Sequence, residues 1–219
     1  MRTITQQTWG KKALSILLTA AMVLTLLPMA AFPAYATTAE PFQVGSQTYR
    51  MLDEAVAAVP DGGTITMLDD VFTEDWSLYD YTTLPIVLNS NKSYTLDLGG
   101  FTLSSARGGV DELLSVNTMG GPAGTVTIKN GAVQFFESEN SIRISDNANV
   151  ILDGLADTSR VVVTTSSSTL SILSGEYTFH SLEGGGLNMM FGAATITSGT
   201  FTNLYQTPTF GTLTRRVTP

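Results

Sequence analysis

Apolar residues two positions apart recur along this chain in a phrase that repeats. It is spelled Val126-Thr127-Ile128-Lys129-Asn130-Gly131-Ala132-Val133, then Leu170-Ser171-Ile172-Leu173-Ser174-Gly175-Glu176-Tyr177, then Ala194-Thr195-Ile196-Thr197-Ser198-Gly199-Thr200-Phe201. Each copy has alternating apolar positions, a small polar residue, a glycine, one spacer and another large apolar residue. Equivalent positions are 172 − 128 = 44 and 196 − 172 = 24 residues apart, and Val150-Ile151-Leu152-Asp153-Gly154 falls midway in the longer interval. A period of about 20 to 30 residues signals a solenoid, whose units are stable only when stacked on their neighbours.

The alternation puts one face of each short strand inward. The strands are too far apart to pair as hairpins, so each pairs in parallel with the same strand of the next coil. The glycine fits a corner with positive φ. Asn130, Ser174 and Ser198 stack in a column at that corner, and the corner of the 150–154 coil reads as one residue shorter. An earlier copy is Leu96-Asp97-Leu98-Gly99-Gly100-Phe101, so coils open near 96, 126, 150, 170 and 194. Ile86-Val87-Leu88, Ile142 with Ile144, Val161-Val162-Val163, and Leu187 with Met189 supply the other sides of each coil. The predicted fold is all-β, a right-handed parallel β-helix. An antiparallel sandwich also uses short strands, but regularly spaced hairpin dipeptides are missing here.

Ahead of the coils the period changes. Phe42 to Tyr49 reads as a short strand or hairpin. Leu52, Ala55, Val56 and Val59 follow at i, i+3, i+4 and i+7, one face of a helix, which Pro60-Asp61-Gly62-Gly63 ends. Further upstream, Arg2, Lys11 and Lys12 precede a long apolar run over 13–31, and Ala34-Tyr35-Ala36 closes it with small residues. That is the layout of a secretory signal cleaved after Ala36. The predicted organisation is a signal peptide over 1–36, an N-terminal cap over 37–63, coils over 64–203 and an irregular tail over 204–219.

The stretch Leu52-Asp53-Glu54-Ala55-Val56-Ala57-Ala58-Val59-Pro60-Asp61-Gly62-Gly63-Thr64-Ile65 resembles the opening of right-handed β-helix proteins of the pectin-lyase-like superfamily. In that family a short helix caps the open end of the solenoid. Thr95-Leu96-Asp97-Leu98-Gly99-Gly100-Phe101-Thr102-Leu103 and Thr127-Ile128-Lys129-Asn130-Gly131 look like coils of bacterial surface proteins of this type, and the lysine-led leader resembles Gram-positive signals. The resemblance covers about residues 42–203. It bears on fold more than on activity, because the scaffold hosts lyases, hydrolases, adhesins and passive stalks.

Charge narrows the partners. The sequence has 19 acidic and 11 basic residues, and Arg2, Lys11 and Lys12 lie in the leader, so the remainder carries 8 − 19 = −11. That disfavours nucleic acid, and it disfavours anionic membrane surfaces once the leader is removed. The absence of cysteine excludes disulfides and thiol chemistry.

The resemblance implies where chemistry would lie. Lyases of the superfamily use clustered aspartates on calcium and a basic residue as proton acceptor; hydrolases use paired carboxylates. The one comparable outward column is Lys129 beside Asp153, with Asp97 one coil earlier and diagonal. It reads as a surface ion pair rather than a catalytic cluster. Asp69-Asp70 reads as a turn, and His180, the single histidine, has no partner at a recognisable spacing. No cofactor is expected, although Asp146, Asp153 and Asp157 carry oxygens of the kind calcium accepts. The ligand-binding candidates are Trp76, Tyr79 and Tyr81, whose rings could stack on sugar faces, with Asp80 and Asp75 placed to take sugar hydroxyls. The expected function is an exported, non-catalytic module of a secreted or cell-surface adhesin-like protein. It would bind polysaccharide or a host glycan, or act as a stalk, alongside further domains of the same protein. The alternative is a polysaccharide lyase or glycoside hydrolase of the same fold; a third option is a solenoid that only spaces other domains.

Overall fold

The computed structural model describes residues 39–73, 85–105, 111–135, 140–158, 160–177, 187–189, 192–201 and 212–215. It is a parallel β-solenoid with three faces.

The first face stacks β3 (Gly63–Met67), β6 (Tyr94–Asp97), the front of β9 (Thr125–Phe135), the front of β11 (Asn149–Thr158), β13 (Thr169–Ile172), β16 (Ala193–Ile196) and β18 (Thr212–Arg215), all in parallel. The repeated phrase is this face. Val126, Val150, Leu170 and Ala194 are in register, as are Leu96, Ile128, Leu152, Ile172 and Ile196. Both columns are buried, so each coil adds apolar area that only its neighbours can cover. The second face holds β4 (Val71–Phe72), β7 (Thr102–Ser105), the ends of β9 and β11, β14 (Gly175–Tyr177) and β17 (Thr200–Phe201). The third face holds β5 (Ile86–Asn89), β8 (Glu112–Asn117), β10 (Asn140–Ile144), β12 (Val161–Val163) and β15 (Leu187–Met189). The apolar pieces expected on the remaining sides of the coils are strands of this third face.

The structure corrects three expectations. The early coil opens at Tyr94, not 96, because Tyr94 pairs with Val126 and its ring points into the core, 2 % exposed. The corner at Gly154 is not shortened. Gly154 takes the positive-φ place that Asn130 holds one coil earlier (φ 62° and 58°), and Leu155 lies opposite Gly131. The tail regains the pattern in β18, where Leu213 pairs with Ala194.

The N-terminal end is closed as the sequence pattern requires. β1 (Phe42–Val44) and β2 (Gln47–Tyr49) form a hairpin that adds antiparallel to β3. Helix α1 (Leu52–Ala58) buries Leu52, Ala55 and Val56. Val59 is buried too but sits past the helix end in an extended conformation, as the residue before a proline prefers. Glu54 accepts the Met51 backbone N–H at the helix start, and Lys92 Nζ donates to the Val59 and Ala57 carbonyls at its end, 2.6 and 3.4 Å away. Each charge sits at the helix end that favours it. Side chains also tie coil to coil: Asp61 accepts the Ser93 N–H, the Ser93 hydroxyl accepts the Thr125 N–H, and Asp70 accepts the Thr102 N–H. Asp69 and Asp70 lie at the bend between β3 and β4. Among the described residues, no helix is long and apolar enough to cross a membrane.

Candidate functional site

The outward residues of the first face form three columns, because alternate residues of a strand point away from the core. The middle column runs Thr64, Thr95, Thr127, Ile151, Ser171 and Thr195 in unbroken register. It is uncharged and rich in hydroxyls, as exposed strand positions that favour β-branched residues tend to be. The column beside it holds Thr66, Asp97, Lys129 and Asp153, and this is where the candidates for chemistry meet.

Asp97 lies directly opposite Lys129, not diagonal to it, because the early coil opens two residues sooner than its apolar pattern implied. Lys129 is also in register with Asp153 on its other side, so the strand that carries Lys129 runs between those of the two aspartates. Lys129 pairs with Asp97: Nζ is 3.1 Å from Oδ2. The other oxygen of Asp97 accepts the Gly99 N–H and the Asn130 carboxamide, each at 3.1 Å. Partial burial acts to raise the Asp97 pKa. The Gly99 N–H, the Asn130 amide and the Lys129 charge together outweigh it and hold the carboxyl below the ordinary aspartate value. Asp153 accepts the Ser174 hydroxyl at 2.8 Å, and that same hydroxyl accepts the Gly154 N–H. The small polar corner residues therefore do form a column, but its bonds run to the aspartates of neighbouring coils and to the Gly154 N–H.

A general acid must be protonated near working pH, and Asp97 is held ionised. Two strand spacings of about 4.8 Å separate the backbones at Asp97 and Asp153, which is near the reach of an inverting carboxylate pair. The strand that carries Lys129 runs between them, and its ammonium is bonded to Asp97. As a surface ion pair the contact contributes at most about 1 kcal/mol.

A second polar cluster, which the sequence pattern did not reveal, lies on the third face. Arg143 reaches Glu112 at 3.4 Å, Arg160 Nε donates to Asn140 Oδ1 at 2.9 Å, and the Asn140 amide donates to the Asp111 carbonyl. The signal for Arg143 was present: Ile142 and Ile144 point inward, so the residue between them points out. Glu112 was hidden because its strand was not recognised. Every residue of β8 is buried, including Leu113, Ser115 and Asn117, which alternate with the inward Leu114 and Val116.

The remaining candidates fall elsewhere. Trp76, Tyr79, Asp80, Tyr81 and Asp75 lie outside the described residues, as does His180. Asp146 sits in a positive-φ turn, its carbonyl accepting the Thr118 hydroxyl. Among the described residues, no three His, Cys, Asp or Glu side chains gather as a cation would need. Comparison with protein-family models finds no match, and comparisons with curated proteins and with solved structures find none either.

Proposed function

We propose that this protein is an exported, non-catalytic solenoid module of a bacterial cell-surface or secreted protein, and that it binds polysaccharide or a host glycan. The single observation that carries the non-catalytic part is the state of Asp97. Its carboxylate is committed to Gly99, Asn130 and Lys129, which hold it below the ordinary aspartate value, so Asp97 is unsuited to serve as the proton donor that glycoside hydrolysis needs. Export rests on the leader over residues 1–36, and the surface-protein reading rests on the resemblance of residues 42–203 to the pectin-lyase-like superfamily. A solenoid of this kind offers a long flank, which suits a polymeric ligand. The body's charge of −11 points to a neutral glycan over an acidic one.

The test is retention on immobilised glycans with Trp76→Ala beside wild type. The reading expects wild type to be retained and the variant to be lost with an unchanged circular dichroism spectrum. Absence of retention in wild type would leave a stalk, and retention that survives the change would move the binding site off the aromatic segment. Export is checked separately by sequencing the N-terminus of the secreted protein, which should begin at Thr37.

A further inference from the structure

The corner that joins β9's two halves makes two demands, and together they create a chemically labile pair. The residue at 130 must hold a φ of 58°, which among residues with side chains asparagine tolerates best. The next coil meets the same demand with Gly154. The residue at 131 must have no side chain, because a Cβ there would overlap Leu98 and the Phe101 carbonyl oxygen. Asn130-Gly131 is the outcome, and it is the one Asn-Gly pair in the sequence. Asparagine followed by glycine is prone to deamidate, since nothing on the glycine obstructs attack by its own amide nitrogen.

We propose that Asn130 is a site of spontaneous deamidation in the folded protein, and that the reaction loosens the stack between β6 and β9. The Gly131 amide nitrogen, losing its proton to solvent base, bonds to Cγ of Asn130. The bond from Cγ to the carboxamide nitrogen breaks and ammonia leaves, giving a cyclic imide. Water then opens the imide to aspartate or isoaspartate, so the net change is one water consumed and one ammonia released. Three observations place the reaction here. Asn130 is exposed; the parallel ladder pairs Lys129 with Asp153 and Gly131 with Leu155 but skips the corner between; and, among the described residues, the Asn130 side chain has one hydrogen bond, to Asp97. The consequence follows from that bond. The product replaces an N–H donor to Asp97 with a carboxylate facing it, so two like charges meet where a hydrogen bond had been. Isoaspartate also lengthens the backbone at a corner where Gly131 is already packed against Leu98 and Phe101.

The test incubates the full native protein at pH 8 and maps its peptides by mass spectrometry over days, with Asn91, an exposed asparagine followed by lysine, as the internal comparison. The proposal expects Asn130 to gain the mass of deamidation several-fold faster than Asn91, and faster at higher pH. Asn130 reacting no faster than Asn91 would overturn it. Asn130→Gly, which keeps the positive φ, should fold and abolish the signal at position 130. Asn130→Asp should melt below wild type, and a variant that melts with wild type would overturn the claim that the reaction loosens the stack.

Discussion

Replacing Ile172 and its neighbour Leu173 separately by alanine tests the phase of the whole stack. Ile172 is fully buried and in register with Leu152 on one side and Ile196 on the other. Leu173, the next residue, points outward and is 41 % exposed. Ile172→Ala removes three carbons, about 2.4 kcal/mol at roughly 0.8 kcal/mol per buried methylene. The space left between two flanking coils relaxes only in part, which brings the cost to about 3 to 4 kcal/mol. Because coil stability rests on contacts with both neighbours, the loss falls on two interfaces at once. Leu173→Ala, a surface change, should stay within about 0.5 kcal/mol. Urea unfolding followed by circular dichroism reads both. The midpoint of Ile172→Ala should fall sharply while that of Leu173→Ala stays near wild type. Equal effects, or the reverse order, would refute the alternation on which every column described above depends.

Three further predictions concern the polar groups and the corner. Tyr94 is buried with its hydroxyl unpartnered among the described residues, and burial raises its pKa; Tyr94→Phe should leave stability unchanged or raise it by about 1 kcal/mol in thermal melts, whereas a clear loss would mean the hydroxyl is satisfied. Asp97 has a lowered folded pKa, so its contribution is present above the ordinary carboxylate value of about 3.9 and is lost as pH falls through the folded value. Acid melts below about pH 4 should therefore narrow the gap between wild type and Asp97→Asn, and a gap independent of pH would contradict the network. Gly131→Ala should cost about 1 to 3 kcal/mol through overpacking against Leu98 and Phe101, and a neutral result in the same urea assay would show that the corner can give.

Much of the fold was legible because it rests on a period of two. Ile128, Leu152, Ile172 and Ile196 announce their inward direction from sequence alone, and the structure puts them in one column. What was not legible follows from residues that do not look like what they do. Tyr94 reads as half-polar yet faces the core, and missing it displaced the early coil by two residues and made Asp97 look diagonal to Lys129. The second face has strands as short as Val71–Phe72, too brief for a period to show. Glu112 and Asn117 bracket a strand that is buried throughout, so no alternation marked it. The ion pair was legible as a column but not in its partner: sequence favoured Asp153 for Lys129, and the Gly99 N–H and Asn130 amide that help hold Asp97 are visible only once the corner is folded.

The measurement that tests the central claim most directly is product release from a panel of neutral and uronate polysaccharides, read by reducing ends and by the absorbance of unsaturated products, with and without calcium. The account predicts no turnover by the native protein on any of them. Turnover that disappears in both Asp97→Asn and Lys129→Met, with folding intact, would contradict it and make the outward column of the first face an active site.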